Sequence, residues 1–231
     1  MIYLKKFDSH ASYDTEINGG GVGISIPNVS YCDDVKDVHF NPYNTVEFYV
    51  GEITTPKTVK IYTDKSTSVD VQVSEGNNWY TYLLPKDKGL YKIEGDSVKK
   101  VVVKADIVSD NNIIPSSTVE ASFKGSNTSN VINMSFMFYK CSGLKSLDLS
   151  NFNTSNVTGM NNMFGLCNSL TSLDLSGWNM SKVNSSYSTG MFKGCTALKT
   201  IKMVGCTQET RTKIQNKLTE GEITGFTIVT E

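Results

Sequence analysis

The chain has 231 residues, 22 Lys and Arg against 23 Asp and Glu, and a net charge of −1. With no basic excess, binding to nucleic acid by charge neutralisation is not expected. No stretch approaches the ~18 uncharged apolar residues of a membrane-spanning helix, so no membrane insertion is expected either. The segment from Met1 to Glu16 carries Lys5, Lys6, Asp8, Asp14 and Glu16 and lacks the apolar run of a secretory signal.

Residues 1–44 read as an extended N-terminal leader. Gly19-Gly20-Gly21-Val22-Gly23 has no strand before it and lacks the third spaced glycine of a dinucleotide-binding turn. The stretch from Pro27 to Tyr43 is dense in aromatic and polar groups and has no periodicity. A docking peptide is expected here, with Pro27, Asn28, Tyr31, His39, Phe40, Asn41, Pro42 and Tyr43 as candidate anchors. Asp33, Asp34 and Asp37 beside His39 read as a solvated acidic turn in preference to a metal site.

Residues 45–108 predict a small β-sandwich-like module. Alternating runs occur at Val46–Val50, Val59–Tyr62, Val69–Val73, Trp79–Leu84, Gly89–Ile93 and Val98–Val103. Short strands at this spacing, with turn residues such as Glu75-Gly76-Asn77-Asn78 and Glu94-Gly95-Asp96-Ser97, suit an antiparallel sandwich or barrel. Charge marks a boundary: residues 1–110 hold 28 of the 45 charged residues, whereas 14 of the 20 asparagines lie after position 110. A module of this length has a marginal core, so it should pack on the first copies of the repeat C-terminal to it.

Residues 109–231 carry a repeat. At a shift of 26, Asn127-Thr128-Ser129-Asn130-Val131 returns as Asn153-Thr154-Ser155-Asn156-Val157, Met137-Phe138 as Met163-Phe164, and Cys141 as Cys167. Leu144-Lys145-Ser146-Leu147-Asp148-Leu149-Ser150 returns as Leu170-Thr171-Ser172-Leu173-Asp174-Leu175-Ser176. A third copy, with Met191-Phe192, Cys195, Leu198, Ile201 and Met203, carries a two-residue insertion between Asn184 and Gly190. Such a period with an L-x-x-L-x-L core is a leucine-rich-repeat pattern. Each copy supplies a short strand with one apolar face, and parallel stacking of the copies makes a continuous core. The Met-Phe-x-x-Cys segment is expected to form a short helical turn opposite the strands. Cys141, Cys167 and Cys195 fit as small buried fillers. A helix over Thr207–Leu218 and a strand over Phe226–Val229 form the expected C-terminal cap of the repeats at about 127–206. The fold class is therefore β-rich α+β: a small antiparallel module, then a short leucine-rich-repeat solenoid with a helix-strand cap.

The repeat, from Phe152-Asn153-Thr154-Ser155-Asn156-Val157-Thr158 through Met163-Phe164 and Cys167 to Leu170–Ser176, resembles the BspA-type leucine-rich repeats of bacterial surface proteins. The resemblance implies adhesion or binding and brings no catalytic residue. The leader is similar to N-terminal segments in structural proteins of phages that infect gut Bacteroidales.

The outward strand positions form two expected rows: Ser146, Ser172 and Thr200, and beside them Asp148, Asp174 and Lys202. With Tyr187 of the inserted loop they make a candidate binding face for a host surface glycan or protein. Phe152 and Trp178 are expected in the core. Seven Asn-x-Ser/Thr sequons read as repeat composition. Only two histidines and no CxxC pair are present, so neither catalysis nor a cofactor or metal is expected. The resemblance of the leader, with no export signal visible, implies a non-enzymatic virion structural protein: a head-fibre, decoration or tail-associated subunit. Such a subunit would be a homo-oligomer, with a trimer as one such assembly, held to other virion proteins by its leader. BspA-type surface proteins need export, for which no signal is visible. The alternative is a bacterial cell-surface adhesin.

Overall fold

The computed structural model describes residues 44–231 apart from Asn77, together with the backbone of one strand, β1, at Tyr3–Lys6. The candidate anchors from Pro27 to Tyr43, the acidic turn beside them, Cys32 and both histidines lie outside the described residues. Within the described residues the protein is β-rich, with twelve strands and one α-helix.

The first half pairs antiparallel. β2 (Thr45–Val50) lies between β5 (Asn78–Leu83) and β7 (Val98–Lys104), and β1 adds to the far side of β5. Strand alternation decides what is buried. Val46, Phe48 and Val50 of β2 are fully buried, and Phe48 stacks on Tyr80 at 5.4 Å between ring centroids. A second sheet holds β3 (Lys57–Tyr62) between β4 (Ser68–Val73) and β6 (Lys92–Glu94). Val59, Ile61, Val71, Val73 and Ile93 face inward, and both sheets share one hydrophobic core. Outward positions carry cross-strand pairs such as Lys60 with Asp70 at 2.9 Å.

At β7 the pairing changes sense. β8 (Glu120–Ser122) adds to β7 in parallel, and β9 (Ser146–Asp148) adds to β8. One six-stranded sheet, β1-β5-β2-β7-β8-β9, thus runs across the boundary expected near residue 108. The register is constant along it: Val101 opposes Ala121, which opposes Leu147. A second parallel sheet stacks β10 (Ser172–Asp174), β11 (Thr200–Lys202) and β12 (Thr227–Val229). β10 lies beside β9, but the ladder breaks between them.

Successive coils are tied by bonds between residues about one period apart. The buried Thr128 hydroxyl donates to the Asn153 carbonyl at 3.2 Å and accepts from the Asn153 amide at 2.8 Å. Thr154 does the same to Asn179 at 3.1 and 2.7 Å. Each threonine is essentially inaccessible, and its hydroxyl is fully used. Inside the coils Phe138, Phe164 and Phe192 stack, with centroids 5.8 and 5.6 Å apart.

The Met-Phe-x-x-Cys segments differ from expectation. They form tight turns and no helix, because their amides point along the stack and bond to the next coil. Phe136, Phe138 and Lys140 donate to Asn161, Met163 and Gly165; Asn162, Phe164 and Leu166 donate to Thr189, Met191 and Lys193. This alternation needs a left-handed residue at each end of the turn. Phe136 and Lys140 (φ 61° and 62°) are succeeded one coil on by Asn162 and Leu166 (49° and 63°), and then by Gly190 and Gly194 (63° and 78°). Left-handed backbone is costly for residues with a Cβ. A Cβ at Gly194 would also lie 2.7 Å from Leu166 Cδ2, so that side chain would have to move to admit one.

The last coil is closed by α1 (Gln208–Glu220). The Thr207 side chain caps its N-terminus by accepting from the Thr210 amide. Thr210 in turn accepts from the Met180 amide at 3.1 Å. Lys213 donates to the carbonyls of Met180 and Val183, and the buried Lys217 donates to that of Ser185 and pairs with Glu220. Ile214 and Leu218 complete the seal. The helix therefore supplies polar partners to the backbone from Met180 to Ser185.

Candidate functional site

The strand row is built by alternation within each coil. Leu147, Leu173 and Ile201 point into the core, which turns their neighbours outward. Ser146, Ser172 and Thr200 are exposed, and Asp148 and Asp174 are half-buried beside the exposed Lys202. Ser172 opposes Thr200, and Asp174 opposes Lys202, with a 3.3 Å ion pair. Both aspartates also fold back on their own chain. Asp148 accepts from the Ser150 amide at 3.0 Å and Asp174 from the Ser176 amide at 2.9 Å. Partial burial opposes ionisation of Asp174; the bonds from Ser176 and the charge of Lys202 outweigh it and hold its pKa below the usual carboxylate value. Asp174 is thus an ionised, structurally engaged carboxylate and not a proton donor near neutral pH.

The structure lengthens the rows at their start. Glu120 precedes Ser146 in register and Lys100 precedes Glu120, with a 2.9 Å ion pair between them. Ser122 precedes Asp148 and donates to it at 3.4 Å. Sequence reasoning missed these residues. The signal was present, since Glu120 and Ser122 lie one 26-residue shift before Ser146 and Asp148. Identity has faded there, and only the apolar alternation of Ala121 and Phe123 continues.

Tyr187 does not join the strand rows. It is exposed at the end of a short 3-10 turn (Ser185–Tyr187), where Asn184 accepts from the Ser186 amide. Its carbonyl takes the Met160 amide, so it belongs to the ladder that joins Asn133 to Gly159. Phe152 and Trp178 are buried in the core. The Trp178 indole nitrogen finds no hydrogen-bond partner there.

Among the described residues, four cysteines are free and buried. The Cys167 thiol donates to the Phe138 carbonyl at 3.0 Å, and that of Cys195 to the Phe164 carbonyl at 2.9 Å. Burial pushes the Cys141 and Cys195 thiols up to about 12, and Cys167 moves in the same direction. Such thiols are poor nucleophiles. Among the described residues, no group of three or more His, Cys, Asp or Glu side chains is placed to hold a metal ion. No helix among them is long and apolar enough to cross a membrane.

Stacked copies of this length, tied by amide and threonine bonds, are what a repeat-protein family should share. Residues 110–217 match the family described as Mycoplasma protein of unknown function, DUF285. That is the domain family associated with BspA-like repeat proteins. The matched segment opens just before β8 and closes within α1, so it contains the stacked coils and most of the cap helix. No match came from the curated proteins or from the solved structures.

Proposed function

We propose that residues 109–231 are a short leucine-rich-repeat solenoid that presents a fixed surface for binding, and that the protein performs no chemistry. The observation that carries this reading is the constant register of the strands. It lines up the corresponding side chains of successive copies in rows, with Ser172 against Thr200 and Asp174 against Lys202. A row of this kind recognises a partner by repetition and shape.

Within that reading, the protein is a virion structural subunit: a head-fibre, decoration or tail-associated component. Residues 27–43 attach it to other virion proteins, and the repeats face outward toward a host glycan or protein. This assignment rests on the resemblance of the leader to phage structural proteins as read from the sequence alone. Mass spectrometry of purified phage particles and of uninfected host-cell surfaces tests it. Recovery from particles at a fixed stoichiometry is expected. Recovery only from cell surfaces overturns it in favour of a bacterial adhesin. That second reading is favoured by the match of residues 110–217 to a family associated with BspA-like repeats.

A further inference from the structure

A cleft of about 690 Å³ opens where the β4-β3-β6 sheet meets the first coil. It is lined by residues 91–96 on one side and on the other by Asn111, Asn112, Ser116, Tyr139 and Lys140. Its volume falls within the roughly 300–1,000 Å³ of small-ligand clefts. The frame is rigid. The Ile93 amide donates to the Ile113 carbonyl at 2.9 Å, and the Ile113 amide donates to the Met137 carbonyl at 2.9 Å. The Ser117 hydroxyl donates to the Gly95 and Val98 carbonyls at 3.2 and 2.9 Å, which pins the β6–β7 turn to the facing segment.

The two walls differ in how their polar groups are used. On the β6 wall the charges are engaged with one another. Lys92 pairs with Glu94, Glu94 accepts from the Tyr62 hydroxyl, and Asp96 pairs with Lys57. On the facing wall they are not. Among the described residues, the Asn112 side-chain amide and the Ser116 and Tyr139 hydroxyls make no hydrogen bond. Asn111 spends its side-chain oxygen on the Asn112 amide and keeps its NH₂ group free. Lys140 lies only against the Tyr139 ring, 5.3 Å from its centroid. Tyr139 itself is held by Phe136, edge to face at 5.4 Å, and by the absence of a side chain at Gly165, where a Cβ would sit 3.1 Å from Tyr139 Cδ2.

The chemistry of the free groups selects the ligand. Amides and hydroxyls both donate and accept. Lys92 pairs with Glu94 and Asp96 with Lys57, so among the described residues Lys140 is the one lining charge without an ion-pair partner, and its exposed ammonium is screened by water and can donate to a neutral oxygen. A peptide cannot add as a strand to β6, because the Ile93 amide is already bonded to Ile113. A ligand rich in hydroxyls, each of which both donates and accepts, meets these conditions. We propose that this cleft binds a neutral oligosaccharide, contacted by Asn111, Asn112, Ser116 and Tyr139. The proposal rests on reading the protein as a binding module but not on its place in a virion, and it sets the sugar site apart from the strand rows.

Isothermal titration of the full chain with cellohexaose, laminarihexaose, xylohexaose, maltohexaose and mannohexaose tests it. At least one should bind with Kd of about 1 mM or tighter. Asn112 is exposed, so its variants keep the fold, and thermal melting verifies this. Asn112→Ala should weaken binding about tenfold, and Asn112→Trp, which fills the cleft, should abolish it. Gln215→Ala, exposed on α1 and outside the cleft lining, should bind as the parent does. Failure of all five sugars overturns the proposal. So does binding that survives Asn112→Trp but is lost in Lys202→Ala, which moves recognition to the strand rows. Recovery of the protein from cell surfaces only would overturn the virion reading and leave the titration result standing.

Discussion

Residues 45–108 and residues 109–231 satisfy their backbones in different ways. In the first, strands adjacent or near in sequence fold back antiparallel, and charged cross-strand pairs occupy the outer face. In the second, every coil bonds to the copy one period away, and short polar side chains take the place of charges. The difference arises from which partners are identical. An antiparallel pair places unlike residues opposite each other, so opposite charges can be matched. A parallel stack places like residues opposite each other. A charge there meets its own copy unless that copy has changed, as at Lys202 opposite Asp174, whereas threonine, asparagine and serine both donate and accept and can chain indefinitely.

The sharpest way to break this contrast is to remove one member of the phenylalanine stack. Phe164 touches a ring in both neighbouring coils. Phe164→Ala should cost about 3–5 kcal/mol in urea unfolding, with the repeat half lost first as seen by hydrogen exchange. A smaller effect is expected from Thr154→Val, which keeps the shape of the side chain. It leaves the Asn179 amide and carbonyl without their buried partner, and about 2–3 kcal/mol should be lost.

The thiols give a pH signature confined to the repeat half. Unfolded cysteines ionise near pH ~8.5, whereas folded Cys141 and Cys195 hold their protons to about 12. Above pH ~8.5 the unfolded state therefore binds fewer protons, and stability must fall as pH rises, by about 1.4 kcal/mol per pH unit for each thiol. Denaturant titrations from pH 7 to 11 should show this slope, and Cys195→Ala should reduce it. A thiol reagent at pH 8 should leave all four described cysteines unmodified until denaturant is added. The smallest effect belongs to the seam. The Lys100–Glu120 pair across β7 and β8 is half-exposed on both sides, so Glu120→Gln should shift stability by no more than about 0.5 kcal/mol. A larger loss would mean that the two halves depend on charge where they meet.

Much of the fold could be read in advance because it derives from period. Alternation located β2 to β7 within a few residues, and the 26-residue return located β9, β10 and β11. The helical turn expected at Met-Phe-x-x-Cys failed for an instructive reason. Apolar residues at Met137, Phe138 and Cys141 suit a helical face, but the amides between them are claimed by the next coil, and left-handed residues at Phe136 and Lys140 let them point that way. No propensity signals this, since phenylalanine and lysine are not residues of left-handed turns. The candidate rows were visible as far back as Ser146. Their continuation through Glu120 and Lys100 was hidden because β7 belongs to a module of different texture.

By itself, the sequence determined which residues face the core, since strand alternation and repeat spacing are properties of the chain alone. It also determined that Cys141, Cys167 and Cys195 are buried fillers, by placing them at one repeat position. Only the tertiary structure decided that one sheet crosses from the antiparallel to the parallel half, that α1 supplies polar partners to the backbone from Met180 to Ser185, and that a cleft with unspent amides and hydroxyls lies at the seam. Those features depend on pairing between segments with no common pattern, such as β6 with the residues before β8. Local regularity carries no information about such partners.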